Sequence, residues 1–261
     1  MNRLPSLKAS TFTLSLPSHH SFPASPTSTT TFPEFGRRLG DRKSSPHYAL
    51  FAPLHYERGY AYPLVVWLHG DGGNERELRR VMPHVSVRNY VAAAARGAKI
   101  ATASGSSEAY TWRQSAGGAC EAAERVRQCI DVAERRFNVN AKRIFIAGYG
   151  CGGTMALRLA LQYPEWFAGA ASLGGAMPEG NCPLRRVKCA RSMPLLLASS
   201  RDSMHYPQSS VVDDLRLLHS AGFSLSLRQY PGGDDLTTGM LADMDRWMME
   251  QVCASGSSVA T

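Results

Sequence analysis

The sequence predicts an α/β fold in which helices cover both faces of a mostly parallel central sheet. From about Tyr48 onward, short apolar runs alternate with stretches of helical period, the order expected when strands and helices follow one another. Several runs are apolar throughout, as strands buried on both faces should be. The chain has 261 residues, 44% of them hydrophobic, which suits one mid-sized domain with a covered core.

Seven short apolar runs predict the strands of the sheet. They span Tyr48–Pro53, Leu64–His69, Tyr90–Ala95, Arg143–Gly148, Phe167–Leu173, Leu195–Ser199 and Ser224–Tyr230. Helical periodicity appears between and after them, in residues 122–137, in residues 211–218 ahead of Gly222, and in residues 237–252. Gly222 is predicted to end its helix, because glycine readily adopts the left-handed conformation found at helix ends. This order of elements is that of a parallel sheet with crossover helices.

The ends of the chain are predicted to lie outside the folded domain. Of residues 1–33, 18 are Ser, Thr or Pro, a composition that buries too little apolar surface to offset the entropy of ordering. We therefore expect a disordered tail over residues 1–45, a domain over residues 46–253 and a short disordered tail over residues 254–261. The first segment lacks the apolar core of a secretory signal, and we interpret it as a tail rather than an organelle transit peptide. The expected location is cytoplasmic.

Charge and cysteine usage exclude several classes of function. The net charge is +8, and six bases against two acids in residues 1–45 supply +4 of it. These charges are dispersed, which indicates solvation rather than nucleic-acid binding. The six cysteines form no CxxC pair, so neither a zinc site nor a redox motif is predicted, and we expect no metal and no cofactor. The sequence contains no run of eighteen apolar residues, so it predicts no transmembrane helix.

Four segments carry patterns that are typical of catalysis. Residues 64–73 read LVVWLHGDGG, a strand that enters a glycine-rich turn whose N–H groups can face a developing oxyanion. Residues 143–159 read RIFIAGYGCGGTMALRL, a strand, a tight glycine turn and a helix. Residues 195–207 read LLLASSRDSMHYP, and residues 230–236 read YPGGDDL. Each segment follows or contains a predicted strand.

In this order the segments resemble those of the α/β-hydrolase superfamily. They are similar to its HGxGG oxyanion loop, its GxSxG nucleophile elbow, its HGxxDxxVP acid segment and its YPGGHE histidine segment. The resemblance is closest to the carboxylesterase/phospholipase group, which includes polyhydroxybutyrate-depolymerase-like esterases. It implies an α/β-hydrolase fold and cleavage of carboxylic esters through an acyl-enzyme. It also implies oxyanion and pocket residues at His69, Gly70, Asp71, Gly72, Gly73 and Cys151.

All three positions of the catalytic triad differ from the family pattern. The nucleophile position falls on Gly150, the acid position on Ser203 and the base position on Asp234. Glycine has no side chain to attack with, and without an imidazole no group near neutral pKa can move the proton. We therefore expect a catalytically impaired hydrolase-like protein that keeps a small-molecule pocket for an ester or acid. A homo-oligomer or pairing with an active relative is also compatible with this interpretation.

A displaced nucleophile is the main alternative. Cys151 follows the empty position, and His205 or His84 could serve as its base. The elbow would then shift by one residue and place the bulky Tyr149 where the turn requires a small side chain. An active carboxylic-ester hydrolase using Cys151 is therefore kept as the second hypothesis.

Two further alternatives concern other ligands. Gly148, Gly150 and Gly153 spell GxGxxG after a strand, as in dinucleotide-binding folds, but residues 167–176 contain no acid to bind the ribose. Acidic residues in the four segments, Asp71, Asp202, Asp234 and Asp235, could form an acidic rim that favours a cation, although solvated loop carboxylates are the simpler interpretation.

Overall fold

A computed structural model of the chain describes residues 47–100 and 108–257. The predicted N-terminal tail lies outside these residues, as do residues 258–261 of the predicted C-terminal tail. Of the domain expected over residues 46–253, the structure describes all residues from His47 onward except residues 101–107. None of the helices described in these two ranges is long and apolar enough to cross a membrane.

The described residues form nine strands and six α-helices. The strands are β1 Tyr48–Phe51, β2 Tyr62–Leu68, β3 Val91–Ala95, β4 Ala98–Ile100, β5 Ala109–Thr111, β6 Val139–Tyr149, β7 Gly169–Leu173, β8 Leu195–Ser200 and β9 Leu225–Tyr230. The helices are α1 Leu78–Val85, α2 Ala116–Arg136, α3 Cys151–Gln162, α4 Val187–Ala190, α5 Gln208–Ser220 and α6 Thr238–Ser257. Short 3-10 turns occupy Glu75–Glu77 and Pro164–Trp166.

Seven of the strands form one mostly parallel sheet with the order β1-β3-β2-β6-β7-β8-β9. Strand β1 pairs antiparallel with β3, and every other pair in this sheet is parallel. Every residue of β2, β3, β7 and β8 is buried, which explains why these runs are mostly apolar, with Ser172, Ser199 and Ser200 as exceptions. The predicted α/β fold with a mostly parallel central sheet is confirmed.

The two faces of the sheet bury separate hydrophobic clusters. Along β2, Leu64, Val66 and Leu68 enter one cluster with residues of α2 and α3, whereas Val65 and Trp67 enter the other with residues of α1 and α6. Successive residues of a strand point to opposite faces, so one apolar run supplies both layers. The predicted helices on both faces follow from this arrangement.

Each of the seven predicted strands is present, with bounds that differ by a few residues. The β4–β5 hairpin and helix α1 were not predicted. Helix α6 extends to Ser257, past the expected domain end at residue 253, and the domain bounds stay a prediction. The predicted stop at Gly222 is confirmed: α5 ends at Ser220, and Gly222 has a φ of 77°.

The turn from β6 into α3 lies against the end of β2. A Cβ on Gly148 would be 2.5 Å from backbone atoms of Gly152, and a Cβ on Gly152 would be 2.3 Å from the carbonyl oxygen of Leu68. Backbone atoms cannot move aside as a flexible side chain can, so both positions require glycine. These two glycines flank Gly150, and its alignment with the nucleophile position stays a prediction.

Gly152→Ala should therefore destabilise the protein by about 3 kcal/mol, the upper range for an overpacked site. Chemical denaturation monitored by circular dichroism would measure the change. Gly117→Ala is the matched control, since a Cβ on exposed Gly117 at the start of α2 would meet nothing within 4 Å. A Gly152→Ala protein as stable as this control would contradict the close approach of α3 to β2.

Candidate active site

Gly150 occupies the point of the turn between β6 and α3. Its φ of 52° and ψ of −121° lie in a region that residues with a Cβ rarely adopt. The Gly150 N–H donates to the carbonyl oxygen of Leu173 at 2.9 Å, and the Thr154 N–H donates to the Gly150 carbonyl oxygen at 3.1 Å. A Cβ on Gly150 would meet no atom within 4 Å. The chain makes a sharp strand-to-helix turn here, and Gly150, which the sequence resemblance aligns with the nucleophile position, faces open space.

Ser203 and Asp234, the predicted acid and base positions, lie in direct contact. Strands β8 and β9 pair up to Ser200 and Tyr230, so the loops that follow them start side by side. The Ser203 hydroxyl donates to the Asp234 carboxylate, and the Met204 N–H donates to the same carboxylate at 2.9 Å. The hydrogen bond from Ser203 is the first cause that holds the pKa of Asp234 far below its usual range. A hydroxyl and an ionised carboxylate thus meet at the two positions that the sequence resemblance aligns with the family's acid and histidine.

An imidazole does contact the base position. His205 Nδ1 lies 3.0 Å from Asp234 Oδ2, and the His205 side chain is 83% exposed. Compared with the family pattern, the carboxylate and the imidazole have exchanged loops: the carboxylate follows β9 and the imidazole follows β8. His84, the other candidate base, lies exposed on α1 and makes no hydrogen bond to Asp234.

Tyr149 connects the elbow to the base loop. Its hydroxyl donates to the Asp234 carbonyl oxygen. Its ring lies between two loops, because a Cβ on Gly70 would be 2.9 Å from Tyr149 Cδ1 and a Cβ on Gly174 would be 3.2 Å from Tyr149 Cε2. The sequence interpretation treated Tyr149 only as too bulky for a shifted elbow, and no sequence signal pointed to this bridging role.

His69 shapes the oxyanion loop and is not a free base. It is fully buried, and its Nε2 accepts the Gly97 N–H at 2.9 Å. The proton is therefore on Nδ1, which donates to the Gly70 carbonyl oxygen at 2.7 Å. Burial lowers the pKa of His69, so the ring is held neutral. Asp71 and Gly72 follow at the exposed tip of the loop, and the Gly73 N–H closes the turn onto Gly70.

Cys151 begins α3 and is half-buried. The Thr111 hydroxyl donates to its sulfur at 3.7 Å, and burial raises the pKa of the thiol. A raised pKa reduces the thiolate fraction that a nucleophile requires. Within residues 47–100 and 108–257, the sulfur has no hydrogen bond to a histidine or a carboxylate. As the first residue of the helix, Cys151 has an N–H without a partner inside the helix, so this group remains suited to an oxyanion.

The acidic rim does not assemble a metal site in the described part of the chain. Asp71, Asp202 and Asp235 are exposed, and no three His, Cys, Asp or Glu residues described here are grouped to hold a metal ion. Two cavities, of about 600 Å³ and 590 Å³, lie along α6 and between α2 and α3, and neither is lined by Gly150, Ser203 or Asp234. The small-molecule pocket expected beside the elbow stays a prediction.

The sheet, the elbow and the loops after β8 and β9 define the protein as an α/β hydrolase by fold. A family model described as Phospholipase/Carboxylesterase matches residues 57–246, which is more than half of the chain, and the chain belongs to that family. The glycines of the GxGxxG pattern therefore belong to an elbow. Gly153 in particular allows α3 to pack on β7, since a Cβ there would lie 2.5 Å from Ser172 Oγ.

Individual relatives match parts of the chain. "Putative esterase NocK" of Nocardia uniformis subsp. tsuyamanensis is 31% identical over 141 residues, covering 51% of this chain and 38% of the relative. A probable carboxylesterase of Oryza sativa subsp. japonica is 28% identical over 141 residues, covering 53% of this chain and 52% of the relative. The chain thus spans about half or less of the length of these relatives.

Solved structures show the same fold. SOBER1 of Arabidopsis thaliana has a TM-score of 0.59 at 20% identity, covering 74% of this chain and all of that chain. A carboxylesterase of Bacillus cereus has a TM-score of 0.61 at 17% identity, covering 78% of this chain and 93% of that chain.

Gly150→Ser should lower the melting temperature. The new Cβ would meet no neighbour, so the cost is the backbone strain alone, about 1–3 kcal/mol, or roughly 2–4 °C for each kcal/mol. Differential scanning calorimetry measures the change in melting temperature. Gly59→Ser is the control, because a Cβ on Gly59 also meets no atom within 4 Å and its φ lies outside the left-handed region. A Gly150→Ser protein that melts no lower than the control would refute the strain at the elbow.

The stability contribution of Asp234 should depend on pH. Its folded pKa lies below the unfolded value of about 3.9, so the contribution is present above that pH and is lost as the pH falls through the folded pKa. Asp234→Asn should therefore destabilise the protein at pH 6, and the difference from wild type should narrow below about pH 4. Urea unfolding at stepped pH measures this. When Ser203 is already replaced by Ala, Asp234→Asn should lower the stability at pH 6 by less than it does in the wild type. An equal loss would show that the Ser203 contact is not the cause of the lowered Asp234 pKa.

Proposed function

We propose that this family member is impaired in ester hydrolysis by the triad and binds a small ester at the elbow without turning it over. The contact between Ser203 and Asp234 carries the proposal. It joins the two loops where the family pattern places an acid and a histidine, and neither Ser203 nor Asp234 can move a proton at neutral pH. Gly150 adds the second defect, the missing nucleophile.

The chemistry of acyl transfer explains why these changes are severe. A serine hydrolase needs a base that takes the proton of the nucleophile and returns it to the leaving group. Asp234 has a pKa far below its usual range, so it holds no proton to donate and is a very weak base. Ser203 is buried, and its hydroxyl donates a hydrogen bond to Asp234 and accepts one from the Tyr206 N–H at 2.8 Å. It is therefore not placed as a replacement nucleophile.

Several features support retained binding. The elbow keeps its backbone conformation, and the N–H groups of the oxyanion loop and of Cys151 can receive a carbonyl oxygen. The ionised Asp234 favours a neutral ester over a free acid. We extend the proposal to a cytoplasmic location, where the cysteines of the described residues would ordinarily be reduced thiols.

The test compares the wild type with a restored triad. Intact-mass analysis after fluorophosphonate exposure and turnover of p-nitrophenyl butyrate are measured on wild type, on Gly150→Ala and on the triple variant Gly150→Ser, Ser203→Asp, Asp234→His. We expect no adduct and no turnover for the first two. The triple variant should gain an adduct at residue 150, because the elbow has space for the side chain. Binding is measured separately, as the rise in the melting temperature of the wild type when p-nitrophenyl butyrate is added.

Each contrary result identifies the part of the proposal that fails. A wild-type adduct that is lost in Cys151→Ser would show the displaced nucleophile and refute the impairment. Labelling of Gly150→Ser alone, abolished by His205→Ala, would support an impairment that rests on Gly150, with His205 and Asp234 still able to act as a base. The absence of any thermal stabilisation by the ester would refute binding at the elbow.

A further inference from the structure

A cavity of about 590 Å³ lies between α2, α3 and the loop of residues 180–186, away from the elbow. Its walls combine apolar side chains such as Leu161 and Tyr163 with the guanidinium groups of Arg158, Arg185 and Arg186. The volume is within the range of small-molecule sites. None of Gly150, Ser203 and Asp234 contributes to it, so an inference about this cavity does not rest on the function proposed above.

Arg158 is a buried cation that only neutral groups contact. It is 3% exposed, and its Nε donates to Gln114 Oε1 at 3.0 Å. The two terminal nitrogens donate to the carbonyl oxygens of Glu179 at 2.6 Å and Gly180 at 3.4 Å. In the part of the chain that the structure describes, no carboxylate lies within salt-bridge distance of this guanidinium. Burial lowers the pKa of Arg158, and no acidic side chain acts against it.

The loop over the cavity is held in an uncommon conformation. Gly180, Asn181 and Cys182 have φ values of 67°, 54° and 49°, three successive left-handed residues, of which two carry a Cβ. Residues with a Cβ persist there only when their surroundings fix them, and such strain is concentrated at ligand clamps and active sites. Here the fixing contacts are those from Arg158 to the carbonyl groups at the start of the loop. Arg158 therefore both lines the cavity and holds the loop of residues 180–186 in place over it.

The other two arginines differ in their partners. Arg186 pairs with Glu165 at 2.9 Å, which neutralises its charge. Arg185 has no salt bridge to a carboxylate of the described residues, so it and Arg158 supply two uncompensated positive charges at one cavity. A buried positive charge is stable when an anion with hydrogen-bonding oxygens faces it.

We propose that this cavity binds a small organic anion, a phosphate or carboxylate group carried on an apolar body. The anionic group would lie against Arg158 and Arg185, and the apolar body against the side chains of α2 and α3. The remaining N–H groups of the Arg158 guanidinium, which has five and uses three in the contacts above, match two oxygens of such a group.

Phenyl phosphate and benzoate are the probes, with inorganic phosphate and benzyl alcohol testing the charge and the apolar body alone. Titration calorimetry on the full chain at constant ionic strength should show saturable binding of at least one aryl anion, weaker binding of inorganic phosphate and none of benzyl alcohol. Phenyl phosphate binding alone identifies a phosphate ligand, and benzoate binding alone a carboxylate ligand. Saturable binding of neither probe would overturn the proposal.

Arg185→Ala is the informative variant, because Arg185 is exposed whereas Arg158 supports the loop and Gln114. It should weaken binding by about tenfold, equal to about 1.4 kcal/mol for one charge-assisted hydrogen bond. The control is Arg191→Ala, which removes an exposed arginine just past α4 that does not line the cavity. Equal binding by the two variants would show that the anion lies elsewhere and would also overturn the proposal. Arg158→Lys keeps the charge but not the planar fork, and it should weaken binding without unfolding the chain.

Discussion

The close approach of helix α3 to the end of strand β2 is the constraint on which the candidate site depends. A Cβ on Gly148 or Gly152 would lie 2.5 Å or less from backbone atoms, and no backbone can yield to it. The chain between them must therefore turn sharply, and Gly150 takes a φ of 52° as a consequence. The elbow is thus a product of packing, and it persists whether or not its central residue can attack a substrate. The family fold at this turn therefore does not depend on a side chain at position 150.

The positions that carry chemistry are under weaker packing constraints. Gly150 faces open space, and Ser203 and Asp234 belong to loops that follow β8 and β9. Their contact still ties the two loops together, as an acid and a histidine would, but through a hydroxyl and a carboxylate. On the proposed function, this contact keeps the structural role of an acid–base pair without its proton transfer. Tyr149 strengthens this interpretation, because it fastens the elbow to the Asp234 backbone from the neighbouring position.

The parts that the sequence predicted are those determined by local pattern. Apolar runs predicted the strands most clearly at β2, β3, β7 and β8, because burial on both faces leaves little polar alternation there, and the glycine spacing predicted the elbow. The β4–β5 hairpin was missed because its strands have three residues each and include the exposed Lys99. Helix α1 carries buried residues at helical spacing, Leu78, Val81, Met82 and Val85, but Pro83 interrupts the pattern. The contact between Tyr149 and Asp234 joins residues 85 positions apart and leaves no local signal.

The two proposed sites differ in the charge that they present, and this separates their ligands. The elbow presents the ionised Asp234 and the exposed Asp71, which repel a free acid and tolerate a neutral ester. The cavity presents Arg158 and Arg185, which attract an anion and gain little from a neutral molecule. Because α3 runs from Cys151 at the elbow to Gln162 at the cavity, one helix supports both sites. A ligand with an ester at one end and an anionic group at the other would therefore bind the elbow only through its ester and the cavity only through its anionic group. Charge alone would determine which end each site accepts.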